Sequence, residues 1–178
     1  IPTSECCIFK NSIEYRNSED LFQHAEYGDL KKYLEDIGKN IDDYFVFTFV
    51  RNPWDRYVSS YEYGKRAYIK CYKNDWGKPA YDNDFEGWIK NIPYSGQRNY
   101  IKDFPFNYIG KMENMEYELE NIRQILQTRT ANVKLNKVKP IVINANPHAD
   151  YRSYYTEETK NLVAERSYKI INNFNYEF

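Results

Sequence analysis

The sequence contains 178 residues, a length that suits one domain with a buried core. Its 25 basic and 26 acidic residues nearly cancel, and this balance argues against a protein that coats nucleic acid. No apolar run is long enough to cross a bilayer and no signal peptide is recognisable, so the sequence predicts a cytoplasmic protein without a stable membrane span.

The cysteine and histidine side chains show no spacing typical of a metal site. The three cysteines, Cys6, Cys7 and Cys71, form no C-x-x-C pair, and His24 and His148 are far apart in the sequence. An odd number of cysteines, two of them adjacent, favours reduced thiols over a disulfide framework. We therefore expect a protein that requires no metal ion.

Apolar periodicity and turn residues predict helices and strands that alternate along the chain. Leu30, Leu34 and Ile37 recur at helical spacing and predict the inner face of the first helix. The predicted elements are, in chain order, a helix over 17–40, a strand over 44–50, a helix over about 53–68, a loop over 72–83, a helix over 85–92, a loop over 93–105, a strand over 106–112, a helix over 115–127, a basic irregular stretch over 128–150 and a helix over about 156–172. The pattern predicts a single α/β domain over residues 1–178.

The segment after the first predicted strand combines a permanent positive charge with the start of a helix. The strand at 44–50 is nearly all apolar, as expected of a parallel strand buried on both faces, and Arg51 stands at its carboxyl end. Asn52 and Pro53 suit the cap and the first position of a helix. The N–H groups of such a helix start, the forked guanidinium and the hydroxyl of Ser59 favour a phosphate ligand. The spacing alone leaves open a salt bridge at the helix start and a serine on an ordinary helix face.

The same segment resembles that of a known enzyme family. Residues 47–61 read FTFVRNPWDRYVSSY. They resemble the 3′-phosphate-binding segment of sulfotransferases that use PAPS (3′-phosphoadenosine 5′-phosphosulfate), above all the carbohydrate sulfotransferase branch, where it reads like F-x-R-N-P-x-x-R-x-x-S-x-Y. Further stretches resemble the family in the same order, namely YIGKMENM at 108–115, NANPH at 144–148, YRSYY at 151–155 and the ending at 163–178.

The resemblance implies a fold and a reaction. The fold is a three-layer P-loop-like α/β fold with a central, mostly parallel sheet flanked by helices. The expected reaction transfers a sulfuryl group from PAPS to a hydroxyl, for which the resemblance favours a carbohydrate, and gives a sulfate ester and PAP (3′-phosphoadenosine 5′-phosphate). Arg51 and Ser59 then hold the 3′-phosphate of the donor. The expected partner is a glycan or a small molecule with a hydroxyl, not a nucleic acid, and a eukaryotic protein of this kind is expected in the Golgi lumen.

The resemblance also implies roles for four residues outside this segment. HAEYGDL at 24–30 resembles the H-x-x-Y-x-D segment of carbohydrate sulfotransferases with a histidine base, so His24 is the predicted base and Glu26 the alternative. Imidazole titrates in the range that suits proton transfer from a hydroxyl. His148 and Arg152 belong to the part that resembles the nucleotide-covering loop, and we expect both to bind the nucleotide.

One signature of the family is not readable in the sequence. The P-K-x-G-[TS]-[TS] loop, which cradles the 5′-phosphosulfate and supplies a catalytic lysine, is matched only at its two ends by IPTS at residues 1–4. We hypothesise that residues of this loop are missing from the chain as given. The alternative is a non-catalytic module that binds PAP and lacks the lysine loop. A P-loop kinase or NTPase is excluded, since no G-x-x-x-x-G-K-[ST] segment occurs.

Overall fold

The structure is a computed structural model that describes residues 27–71, 84–91, 106–129, 134–140 and 148–178. Its helices and strands are α1 (Tyr27–Asp36), β1 (Phe47–Val50), α2 (Pro53–Cys71), α3 (Phe85–Asn91), β2 (Tyr108–Lys111), α4 (Met115–Arg129), α5 (Glu157–Arg166) and α6 (Tyr168–Phe174). Single 3-10 turns are formed by Ile41–Asp43, Met112–Asn114 and Tyr151–Tyr154. The described residues fall into two compact units, the sheet unit (27–50, 106–129 and 134–140) and the helical unit (51–71, 84–91 and 148–178).

The sheet unit is built on two parallel strands. β1 pairs with β2 in a register that sets Phe47 opposite Tyr108 and Val50 opposite Lys111. Asn107 extends the pairing, because its side-chain oxygen accepts a hydrogen bond from the backbone N–H of Val46 at 2.7 Å. The described residues thus form a mixed structure of helices and strands with a small parallel sheet, in line with the α/β prediction. The larger sheet and its three layers stay predictions.

Helix α1 packs onto this sheet unit with one apolar face. Leu30 and Leu34 are buried together with Ile41 and Val46. The helix ends at Asp36, four residues before the predicted end, and the chain turns at Gly38, whose φ of 70° is accessible to glycine without strain. The prediction for Ile37 is wrong, since that side chain is 44 % exposed. It follows the last helical residue and lies in the closing turn, where the helical period no longer fixes its direction.

A buried carboxylate fixes the connection from β2 to α4. Glu118 accepts hydrogen bonds from the backbone N–H of Lys111 at 3.1 Å and from the hydroxyl of Tyr108. Burial and this carboxylate together raise the pKa of Tyr108. The packing is tight at Gly110, where an added Cβ would lie 2.9 Å from the ring of Phe49 and 3.0 Å from the Cβ of Glu118. The connection therefore depends on a glycine at this position.

Residues 134–140 run beside α4 without regular secondary structure, as the sequence predicts for this basic stretch. Gln127 accepts a hydrogen bond from the backbone N–H of Leu135, and Arg123 donates one to the carbonyl of Leu135. Arg123 also forms a bidentate ion pair with Glu120, and its hydrogen bonds lower the pKa of Glu120 to about 2. Side chains of α4 thus form hydrogen bonds with the backbone of a segment that has no regular secondary structure.

The helical unit packs α2 against α3, α5 and the 3-10 turn Tyr151–Tyr154. Its core is aromatic: Tyr61 contacts the rings of Phe85, Trp88 and Tyr154 at centroid distances of 5.3 to 6.5 Å. Such edge-to-face and tilted contacts are favourable for aromatic rings. Among the helices that the structure describes, none has the length and apolar character needed to cross a membrane.

The last predicted helix is two helices. Thr156 and Thr159 form the cap expected at its start, each hydroxyl accepting a hydrogen bond from the other residue's backbone N–H at 3.0 and 3.3 Å. The prediction of one helix to about residue 172 is wrong, because α5 ends at Arg166 and α6 begins at Tyr168. The residue between them, Ser167, has φ −113° and ψ 13°, which lie outside the α-helical region.

Candidate functional site

The candidate site begins where the chain enters helix α2. Asn52 caps this helix: its side-chain oxygen accepts hydrogen bonds from the backbone N–H groups of Trp54 at 3.0 Å and Asp55 at 3.4 Å. Pro53 occupies the first helical position, where its missing N–H is no loss. The sequence therefore starts the helix immediately after Arg51, and the predicted helix start is confirmed.

Three side chains on one face of this helix start are joined by direct hydrogen bonds. The Nε of Arg51 donates to Oδ2 of Asp55 at 2.5 Å, and its Nη1 donates to Oγ of Ser59 at 3.0 Å. The positions are four and eight residues apart, so successive turns of α2 bring them into one row. The structure thus brings together Arg51 and Ser59, the two residues that the sequence predicts to share a phosphate. It also contains an ion pair between Arg51 and Asp55, the alternative role for Arg51 that the spacing did not exclude.

Burial makes this cluster stronger than a surface ion pair. The side chains of Arg51 and Asp55 are each 21 % exposed, and Ser59 is buried. A guanidinium keeps its charge under all conditions of interest, and partial burial weakens the screening of that charge by water. A carboxylate at Nε also limits the orientations that the guanidinium plane can take. The cluster therefore presents an oriented positive charge beside a hydroxyl.

His148 lies against the same cluster. Its Nε2 is 3.6 Å from Oδ1 of Asp55, its Nδ1 is 2.7 Å from the carbonyl oxygen of Ala149, and its side chain is 13 % exposed. The ring edge meets Tyr154, whose hydroxyl donates to Glu62 of helix α2 at 3.1 Å. Residues 148–155, which we call the covering segment, therefore lie along α2. The resemblance implies a nucleotide-binding role for His148. In the structure, its imidazole and the guanidinium of Arg51 contact the same carboxylate, that of Asp55.

Arg152 occupies a different part of the covering segment. Its guanidinium lies 3.4 Å from the carboxylate of Asp150 and 4.5 Å from the ring centre of Tyr151, and the side chain is 52 % exposed. The backbone N–H of Arg152 donates to Asp150, and this bond lowers the pKa of that carboxyl. A nucleotide-binding role for Arg152 stays a prediction. His24 and Glu26, the predicted base and its alternative, lie outside the described residues.

Two aromatic side chains tie the covering segment and α5 to the helix start. The indole N–H of Trp54 donates to the carbonyl of Lys160 at 3.0 Å, and the hydroxyl of Tyr155 donates to the carbonyl of Trp54 at 2.8 Å. Burial raises the pKa of Tyr155, so this hydroxyl remains protonated and a donor at neutral pH. The helix start is therefore held from several directions.

Sequence reasoning did not find the role of Asp55. Its carboxylate contacts both Arg51 and His148. The spacing of four residues between Arg51 and Asp55 was a usable signal, because side chains at that spacing meet on a helix. The contact with His148 had no such signal, since 93 residues separate the two positions.

The cluster has the chemistry of an anion site. A guanidinium and a hydroxyl meet in the first turns of a helix, whose dipole adds partial positive charge, and these three favour a phosphate over a neutral group. The carboxylate of Asp55 beside Arg51 offsets part of that positive charge. Within the described ranges, no group of three or more His, Cys, Asp or Glu side chains is arranged to hold a metal ion.

Comparison with known proteins gives one match. A family model described as "Sulfotransferase family" matches residues 7–177 of the 178-residue chain. The match includes the Arg51 cluster and the covering segment. A search of curated proteins found no match, and a search of solved structures found none either.

Proposed function

Because the chain belongs to the sulfotransferase family, we propose that it transfers a sulfuryl group from PAPS to a hydroxyl, most simply that of a carbohydrate. Family membership supports a transferase that moves a sulfuryl group. The donor and the class of acceptor are the proposed part. They rest on the motif at 47–61 and on the geometry of the Arg51 cluster. The P-loop-like fold is proposed on the ground of family membership.

The observation that carries the proposal is the hydrogen bond between Arg51 and Ser59. The two side chains that the resemblance assigns to the 3′-phosphate lie 3.0 Å apart at the start of α2. A phosphate dianion beside them would meet a fixed positive charge and the positive end of a helix. The residues present therefore fit the 3′-phosphate, the group that distinguishes PAP and PAPS from ordinary adenine nucleotides.

The covering segment supports the same assignment. His148 places an imidazole nitrogen 3.6 Å from the carboxylate of Asp55, so it adds a polar group beside the proposed phosphate position. Arg152 is exposed, and among the described groups its guanidinium contacts the carboxylate of Asp150 at 3.4 Å and the ring of Tyr151. In the proposed function it would bind the nucleotide from the outer side of the covering segment.

PAPS, when bound, supplies the activated sulfuryl group. The chain's own residues have two tasks, namely to orient the donor and to accept the proton of the acceptor hydroxyl. Arg51 and Ser59 would perform the first. His24 would perform the second, because imidazole titrates near neutral pH and can accept this proton under ordinary conditions. Glu26, whose carboxylate is ionised at neutral pH, is the alternative base. Neither task requires a metal ion.

We also propose a cytoplasmic location for the protein.

The experiment that tests the proposal compares two ligands that differ only in the 3′-phosphate. PAP and AMP should be titrated into the full-length protein by calorimetry under the same conditions. We expect PAP to bind about 30-fold or more tightly than AMP, since a bidentate guanidinium contact to phosphate contributes on the order of 2 kcal/mol or more. Equal affinities would remove the assignment of Arg51 and Ser59, and with it the proposed donor.

A further inference from the structure

Residues 176–178 fold back onto the start of helix α2. Helix α6 ends at Asn175, whose left-handed conformation (φ 49°) turns the chain, and the backbone N–H of Tyr176 donates to the carbonyl of Ile171 at 3.0 Å. The side chain of Tyr176 is buried. This turn sends residues 177 and 178 toward Asn52 and Trp54, so the segment is held at both of its ends.

The ring of Phe178 lies in an aromatic socket. It meets Trp54, Tyr151 and Tyr155 edge to face, with centroid distances of 5.5, 5.8 and 5.5 Å. Lys160 covers the ring with its ammonium group 5.0 Å from the centre. Each such ring contact is favourable beyond the area that it buries. The socket joins helix α2 to the covering segment through one side chain.

Asn52 connects this arrangement to the candidate site. While its side-chain oxygen caps α2, its Nδ2 donates to the carbonyl of Glu177 at 3.0 Å and to the hydroxyl of Tyr151 at 3.5 Å. Asn52 is also the neighbour of Arg51 in the chain. A change in the path of Asn52 therefore moves the backbone from which the guanidinium of Arg51 extends.

We propose that Asn52 is a positioning residue for the anion site, and that residues 176–178 act through it to hold Arg51 toward the 3′-phosphate. The inference rests on the proposed function. Its physical reason is that a forked contact to phosphate requires a narrow range of orientations. Without the hydrogen bond from Asn52 to Glu177, a smaller fraction of the molecules holds Arg51 in the orientation that binds phosphate. The apparent affinity for PAP falls in proportion to that fraction.

The test uses Asn52→Ser, which keeps a good helix cap and removes the amide that reaches Glu177. The matched control is Asn91→Ser, which removes an exposed amide-to-carbonyl hydrogen bond of 2.7 Å at the end of α3. We expect Asn52→Ser to raise the Kd for PAP about fivefold and to change the Kd for AMP by less than about twofold, since an exposed hydrogen bond contributes about 1 kcal/mol. Asn91→Ser should change neither value.

A second variant separates positioning from folding. Phe178→Ala empties the aromatic socket and leaves Asn52 in place, and it should raise the Kd for PAP about tenfold while AMP binding changes little. Equal weakening of PAP and AMP in both variants, or an unchanged Kd for PAP in both, would overturn the positioning role. A wild-type protein that does not prefer PAP to AMP would instead overturn the proposed function and this inference with it.

Discussion

The hydrogen bond between Arg51 and Ser59 predicts that their contributions to PAP binding are not additive. Arg51→Ala should weaken PAP binding by about 2–4 kcal/mol, because a partly buried guanidinium acts on phosphate in a medium less polar than water. Ser59→Ala should cost about 1 kcal/mol, the usual contribution of one hydrogen bond. The two side chains lie 3.0 Å apart, so the first change also removes a partner of the second. The double variant should therefore lose at least about 0.5 kcal/mol less than the sum.

The assay is calorimetric titration of wild type, both single variants and the double variant with PAP, with AMP as the control ligand. AMP affinity should stay within about twofold of wild type in all variants, because AMP lacks the group that the two side chains bind. Additivity within about 0.3 kcal/mol would mean that Arg51 and Ser59 do not act on one group. An equal loss of PAP and AMP affinity would mean that the variants perturb the fold and not the contact to the 3′-phosphate.

Asp55 provides a further check on the proposed position of the 3′-phosphate. In Arg51→Ala its carboxylate loses the guanidinium that lies 2.5 Å away and still carries a charge of the same sign as phosphate. Repulsion between two unit charges about 4 Å apart is on the order of 1 kcal/mol even with the full screening of bulk water. The variant Arg51→Ala with Asp55→Ala should therefore bind PAP about threefold to tenfold more tightly than Arg51→Ala alone. Weaker binding in that double variant would contradict a phosphate at this position.

Three further predictions concern packing, pH and the base. Gly110→Ala should lower the free energy of unfolding by about 1–3 kcal/mol, whereas Gly28→Ala, with open space around it, should not; urea midpoints that coincide would contradict the packing. Glu120 has a pKa of about 2 against its usual 4.5, so its stabilisation is complete above about pH 5 and is lost as the pH falls toward 2. The difference in Tm between wild type and Glu120→Gln should therefore narrow as the pH falls over that range. A difference that stays constant would contradict a stabilising ion pair between Glu120 and Arg123. His24→Ala should leave PAP affinity within about twofold and lower kcat about 100-fold, while near-normal turnover in it and collapse in Glu26→Ala would make Glu26 the base.

The sequence predicted the elements whose signals are local. The apolar strand before Arg51, the cap and proline that start α2, and the threonine pair that starts α5 all appear in the structure where the pattern placed them. Each depends on neighbouring residues, so a single sequence contains the necessary information. The juxtaposition of Arg51 and Ser59 followed in the same way, because both belong to one helix start.

The sequence could not predict contacts that join distant parts of the chain. His148 meets Asp55, and Glu177 meets Asn52, across 93 and 125 residues, and no spacing rule relates such positions. The break between α5 and α6 was missed for a different reason. Ser167 is buried and has no proline or glycine beside it, so no conventional stop signal marks the change of direction.

The central claim is that the chain transfers a sulfuryl group from PAPS, and one measurement tests it most directly. Full-length protein should be incubated with PAPS and a panel of glycans and simple alcohols, with the release of PAP and the sulfated product quantified together. We expect equal amounts of PAP and sulfate ester, formed only with a hydroxyl acceptor and strongly reduced in Arg51→Ala. Tight binding of PAP without acceptor-dependent release would contradict it and would identify a non-catalytic PAP-binding module.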